Sequence, residues 1–126
     1  MSKHGVSVGD YKAVADVASK YIEAVRSGSI DMLTETFHQD SVTYGVVGGE
    51  LMGGAGNPTA KFIEVYGKSP DIGCQIDVLD MTPFTAVVRV VTENDAIGTG
   101  CCEYLTLIKN GQRWVIMAKA CVQMGE

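Results

Sequence analysis

Glutamate 103 is the residue whose surroundings most demand a chemical explanation. It lies in Cys101-Cys102-Glu103-Tyr104-Leu105-Thr106-Leu107-Ile108, a run whose alternate members are apolar. A carboxyl set into an apolar layer must find a partner or shift its pKa, because burying bare charge is costly. Such a group either acts on something in a cavity or holds the fold by pairing with a helix residue or ordered water. His38, in Phe37-His38-Gln39-Asp40, is a second group suited to proton transfer, although at a helix end it equally suits packing and local hydrogen bonding. Asp40 suits a turn into the first strand, and His4 lies in the N-terminal lead-in and carries no signal.

No metal site or cofactor is expected. Glu35, His38 and Asp40 lack the spacing of metal ligands, and Cys74, Cys101, Cys102 and Cys121 lack the Cys-x-x-Cys spacing of zinc or redox sites. Buried free thiols are the simpler reading. The glycine loops at Gly48-Gly49 and Gly53-Gly54-Ala55-Gly56 match neither a phosphate loop nor a dinucleotide fingerprint, and suit turns or a rim over a pocket.

Composition narrows the function classes. The 126 residues are 46% hydrophobic and 20% charged, with a formal net charge of −5. That length can bury a core without staples. The acidic balance and scattered lysines and arginines argue against a nucleic-acid groove or an anionic membrane surface. Residues 1–10 lack the apolar run of a signal peptide, and no stretch approaches a membrane span, so the cytoplasm is the expected compartment.

Residues 1–9 read as a flexible lead-in and residues 10–126 as a single domain. Tyr11, Val14, Ala15, Ala18, Tyr21, Ile22 and Val25 recur at helical spacing, predicting a helix from Asp10, its N-cap, to Ser27, with Gly28 ending it. Ser29 caps a predicted short helix over 30–37. A strand over 41–47, a Gly48-Gly49 turn and a short edge segment over 50–52 follow. Asn57-Pro58 opens a third helix carrying Phe62, Ile63 and Tyr66, closed by Gly67. Four strands then run in succession, at about 73–81, 84–93, 97–109 and 112–123. The order, helices first and then a meander, predicts an α+β domain with helices on one face of an antiparallel sheet.

Taking Asn110-Gly111 and Asn94-Asp95 as two-residue turns sets the register. Glu103 then lies opposite Ala118 on one side and Ala86 on the other, Leu105 opposite Ile116, and Cys101 opposite Val88. One face carries Phe84, Ala86, Val88, Val90, Cys101, Leu105, Leu107, Trp114, Ile116, Ala118 and Ala120, with Glu103 as its one ionisable group. The other carries Arg89, Tyr104, Thr106, Arg113, Met117 and Lys119 beside Val87 and Val115, suiting partial exposure or a dimer contact. Because the side-chain period is two, a slip of one residue would invert every face.

Two segments carry a family resemblance: Tyr21-to-Val42 (YIEAVRSGSIDMLTETFHQDSV) and Cys101-to-Ala120 (CCEYLTLIKNGQRWVIMAKA). Together they resemble the nuclear transport factor 2-like superfamily across residues 10–122, closest to its bacterial lumazine-binding subgroup. That resemblance implies a cone, a strongly curved sheet wrapped around three helices with a pocket inside. The superfamily includes ketosteroid isomerase, scytalone dehydratase, polyketide cyclases and non-catalytic dimerisation modules, so fold alone does not settle function.

Ketosteroid isomerase, one of the systems from which this chemistry is generally taught, joins a carboxylate base to an oxyanion site of a tyrosine and a protonated carboxylic acid. By that resemblance Tyr21 matches the tyrosine and Glu103 the neutral acid, while the base position, counted from Phe37, falls on Gly45. His38 is the one understudy for the missing base. The expectation is a domain, homodimeric by family habit, that binds a small apolar ligand bearing one polar group. Tyr21 and Glu103 engage that group, and Phe62, Tyr66, Ala86, Val88, Trp114, Ile116 and Ala118 line the pocket. The alternatives are an isomerase, dehydratase or cyclase acting on a carbonyl compound, with Tyr21, Glu103 and His38 catalytic, or a dimerisation module with a filled interior.

Overall fold

The computed structural model describes residues 5–124. Residues 1–4 of the expected lead-in, His4 among them, lie outside the described residues. Helix α1 runs Val8–Ser27, α2 Ile30–Thr36 and α3 Pro58–Tyr66; the strands are β1 Phe37–Val47, β2 Glu50–Ala55, β3 Gly73–Met81, β4 Thr85–Glu93, β5 Gly100–Asn110 and β6 Arg113–Met124. The architecture is the α+β cone: three helices held in the concavity of a curved, unclosed six-stranded sheet, ordered β2-β1-β6-β5-β4-β3.

Local chemistry explains the helix ends. Ser7, not Asp10, is the N-cap of α1. Its hydroxyl accepts from the Asp10 N–H, and the Asp10 carboxylate accepts from the Ser7 N–H, so Asp10 is the third residue of a capping box. Gly28, at φ 71°, closes α1 in the left-handed conformation that glycine adopts without a Cβ penalty. Ser29 and Asn57 cap α2 and α3. The apolar stripe of α1 (Val14, Ala18, Tyr21, Ile22, Val25) is buried, and the helix packs against β3, β4 and β6.

The sheet departs from expectation in four places. β1 begins directly at Phe37, with a register irregularity before Val42, and it pairs parallel to β6, so the sheet is mixed. β2 extends to Ala55. The β4–β5 connection is a loop over 94–99 rather than a two-residue turn. Asp95 closes it by accepting from the N–H groups of Ile97 and Thr99 and from the Thr99 hydroxyl. Glu103 therefore pairs with Val90, four residues from Ala86, and an even slip leaves the paired side chains of β4 and β5 on their expected faces, whereas Phe84, expected on the inner face, precedes β4 and is 66% exposed.

The fourth departure has larger consequences. The β5–β6 turn is Gly111-Gln112, with Asn110 opposite Arg113. Leu107 pairs with Ile116, but Thr106 pairs with Ala118, so Met117 is the extra residue of a β-bulge. Beyond it the faces of β6 exchange relative to expectation. Leu105 lies opposite Lys119 and Glu103 opposite Cys121, while Ala118 and Ala120 pair with Thr106 and Tyr104 on the outer face. Lys119 thereby enters the cone.

Candidate functional site

Inside the cone, at the end away from Trp114, lies a cavity of about 420 Å³. Its walls come from α1 (Tyr21, Ile22, Val25), β1 (Thr43, Gly45), α3 (Thr59, Phe62, Tyr66), β5 (Cys101, Glu103) and β6 (Lys119, Cys121), with Asp95 and Ile97 from the β4–β5 loop. Most of these groups are apolar, and four of the polar ones, Tyr21, Thr59, Glu103 and Lys119, converge through hydrogen bonds.

That convergence is a relay of three side chains. The Tyr21 hydroxyl donates to Glu103 Oε1 at 2.7 Å. Lys119 Nζ donates to the Tyr21 oxygen at 3.0 Å and to Thr59 Oγ1 at 2.8 Å. It stands 3.8 Å from Glu103 Oε1, a distance suited to charge pairing but too long for a hydrogen bond. An ammonium has three donors, so the third has no hydrogen-bond partner among the described residues. The edge-to-face contact with Phe37, at 5.2 Å and 84° between ring planes, fixes the Tyr21 ring.

Burial sets the electrostatics. Tyr21, Glu103 and Lys119 are at most 7% exposed. Burial raises the Tyr21 phenol well above its ordinary range, and the Glu103 carboxylate raises it further. Burial alone would push the Lys119 ammonium down; Glu103 and Tyr21 oppose that effect and turn the net shift upward. The resting site is a phenol held between Lys119 Nζ and Glu103 Oε1. Burial, with Glu103 nearby, pushes the Cys101 thiol up to about 12, and burial also raises Cys121, so both thiols stay protonated at neutral pH.

Two details of β1 complete the site. Thr43 pairs in register with Lys119 on β6. Its hydroxyl is buried against the cavity and has no hydrogen-bond partner among the described residues. Such an orphan polar atom costs about 1–3 kcal/mol unless something in the cavity satisfies it. Gly45, the position matched to the isomerase base, faces Cys121 so closely that an added Cβ would sit 2.6 Å from its Sγ and 2.7 Å from its carbonyl oxygen. No side chain fits there without moving β6.

Of the residues expected at the site, Tyr21, Glu103, Phe62 and Tyr66 line the cavity. Ala86, Val88 and Ile116 do not; they belong to the solid apolar core together with Trp114, which also floors a separate surface groove near Lys20 and Glu35. Ala118 is on the outer face because of the bulge. His38 is absent from the cavity wall, and its Nδ1 accepts from the Asp40 N–H at 3.0 Å. Lys119, Thr43 and Thr59 escaped the sequence reading. A signal for Lys119 was present in Trp114-Val115-Ile116-Met117-Ala118, an unbroken apolar run where a regular half-buried strand would alternate.

Among the described residues, no cluster of three or more metal-ligating side chains occurs, and no helix is long and apolar enough to cross a membrane.

A family model described as "putative lumazine-binding" matches residues 9–121. The chain is 34% identical over 119 residues to the aldolase FrzH of a Cladobotryum species, covering 94% of each. An NTF2-like protein of unknown function from Methylobacillus flagellatus shares the fold at a TM-score of 0.88, with 24% identity over 97% of this chain and 98% of that one. A ketosteroid isomerase-like protein from Erwinia carotovora superposes at 0.67, with 20% identity over 95% and 100% of the two chains.

Proposed function

The chain belongs to the putative lumazine-binding family of NTF2-like proteins, and on that premise we propose that its cavity binds an apolar small molecule through a carbonyl group and activates that carbonyl for aldol-type carbon–carbon chemistry. The observation carrying this reading is the convergence of Tyr21, Glu103, Lys119 and the unpartnered Thr43 hydroxyl on one side of an otherwise apolar cavity. A carbonyl oxygen accepts hydrogen bonds and donates none. The free third donor of Lys119 and the Thr43 hydroxyl suit it. The aldolase among the relatives supports placing the chemistry at that carbonyl.

Isomerase chemistry of the ketosteroid type fits less well, because Gly45 holds no base and His38 does not line the cavity. Enolisation can use the Tyr21–Glu103–Lys119 relay itself, in which a proton can pass from Nζ to the phenol oxygen as the phenol proton passes to Oε1. A purely ligand-holding role is the second reading, favoured by the raised phenol and ammonium, which resist giving up protons at rest. The exposed apolar residues of the outer face, Val42, Tyr44, Val46, Tyr104 and Val122, support pairing of two copies through their sheets. Its free cysteines suit the reducing cytoplasm.

The test compares 4-phenylbutan-2-one with butylbenzene, which lacks the oxygen, by calorimetry, and follows deuterium exchange at the ketone's α-carbons in D2O by NMR. A ketone preference of about 10- to 100-fold is expected, the value of roughly one or two satisfied polar groups. Equal binding of the two would sink the polar-anchor reading. Preferential binding without protein-dependent exchange would leave the ligand-holding role.

A further inference from the structure

We propose that Lys119 captures its carbonyl ligand covalently, as a Schiff base, inside the cavity. This rests on the carbonyl-binding reading above and goes beyond it, since a polarising site needs no bond to the ligand.

Three observations lead there. Among the described residues Lys119 is the one lysine on the cavity wall, and one of its three donors has no hydrogen-bond partner there. The relay gives the departing proton a route. Nζ–H can pass to the Tyr21 oxygen while the Tyr21 proton moves to Glu103 Oε1, leaving a neutral amine beside a protonated carboxyl. Third, the unpartnered Thr43 hydroxyl sits beside Lys119 across the β1–β6 ladder, where the oxygen of a carbonyl or of its addition product would need a partner.

The step balances without any further reagent. The neutral Nζ adds to the carbonyl carbon, and the carbonyl oxygen becomes the hydroxyl of a carbinolamine. Glu103 returns its proton through Tyr21, that hydroxyl leaves as water, and a C=N bond replaces the C=O. Ammonium plus ketone has become iminium plus water, with the same net charge. The positive charge stands beside Glu103 in the resting ammonium and again in the iminium, so the pairing that stabilises the one stabilises the other. From the iminium, an α-proton passing to the Tyr21 oxygen as the phenol proton moves to Glu103 Oε1 gives an enamine, the carbon nucleophile that an aldol addition requires.

The experiment incubates the full chain with 4-phenylbutan-2-one and sodium cyanoborohydride near neutral pH, which reduces iminium ions in preference to ketones. Intact mass and peptide mapping then follow. A ketone is chosen because exposed lysines condense with ketones poorly. The expected result is one reduced adduct per chain, on the peptide containing Lys119. It should be lost in Lys119→Arg, which keeps the positive charge beside Glu103, with an unchanged far-UV circular dichroism spectrum. Glu103→Gln should slow adduct formation at least about tenfold, the contribution of one positioned acid–base group. Ketone binding by calorimetry with no adduct would overturn the Schiff base and leave the carbonyl-binding reading standing. An adduct on another lysine, or one that persists in Lys119→Arg, would also overturn it. Failure of the ketone to bind at all would remove both.

Discussion

The interior of the cone has two halves built on the same three strands, and they differ in kind. Toward the β5–β6 turn, β4, β5 and β6 contribute Ala86, Val88, Leu105, Leu107 and Ile116, all at most 2% exposed and members of one apolar core. Further along, β4 contributes Thr92, β5 Glu103, and β6 Lys119 and Cys121 to a cavity of about 420 Å³. The boundary is the bulge at Met117. Before it the inward side chains are large and apolar; beyond it the inward set of β6 is Lys119, Cys121 and Gln123. One half secures the fold by excluding water, and that security lets the other half keep a buried ion pair and an empty volume.

Several measurements would break or sharpen this contrast. The largest effect is expected from Lys119→Met, which strands Glu103 beside Tyr21 without its cation. Breaking a buried pair on one side costs about 3–5 kcal/mol. Chemical denaturation should show that loss, and the double variant Lys119→Met/Glu103→Leu should recover most of it. If the two single losses simply add, the pair is not coupled and the cavity half is not an electrostatic unit. In the solid half, Leu107→Ala should cost about 2–5 kcal/mol while leaving ketone affinity within about twofold. A matching loss of affinity would show that the halves are mechanically joined.

Gly45→Ala comes next. With its Cβ against Cys121 Sγ and the β6 carbonyl, it should destabilise by about 1–3 kcal/mol and weaken ligand binding through displacement of β6. A neutral alanine would mean that the close approach is relaxed in solution. Tyr21→Phe removes the middle of the relay and should cost about 1–3 kcal/mol, because Glu103 Oε1 loses its donor while the ring keeps its contact with Phe37. α-Deuterium exchange should fall more than binding does. Were exchange unchanged, the phenol would carry no proton.

The smallest effects concern pH and thiol reactivity. Both Lys119 and Tyr21 have folded pKa values raised above their unfolded ones. Their contributions are therefore complete below about pH 10, where the unfolded groups begin to titrate, and decline as pH rises toward the folded values. Denaturation midpoints should be insensitive to these two groups between about pH 6 and 9 and fall in the alkaline range, less steeply in Lys119→Met/Tyr21→Phe. Iodoacetamide at about pH 8 should alkylate exposed Cys74 faster than Cys101, whose thiol pKa burial raises. Equal rates would mean that the cavity is open to bulk water.

Much of this was legible in the chain because it depends on local pattern. Gly28, Ser29, Asn57-Pro58 and Gly67 mark helix ends through backbone chemistry that a few neighbouring residues decide. The α1 stripe and the alternation of β4 and β5 identify their inner faces. Glu103 stood out because its neighbours at i±2 are apolar or small. The β4–β5 loop was misread by four residues with no harm, since an even slip preserves the faces. Met117 was another matter. A single extra residue in one strand exchanged the fates of Ala118 and Lys119, and bulges leave a faint mark in sequence because any residue can occupy them.

What the amino-acid sequence determined by itself, then, was the α+β class, the element order and the presence of an acid among apolar groups. These follow from periodicity, capping and turn chemistry, which act over a few residues. Tertiary structure decided which cation meets that acid. Lys119 is 16 residues from Glu103 and 98 from Tyr21 along the chain, and the three meet only because the bulged hairpin curls over α1. It also decided that Gly45 must be glycine, through the close approach of β1 to β6. Contacts of that range depend on register and curvature, which are properties of the assembled sheet and not of any one strand.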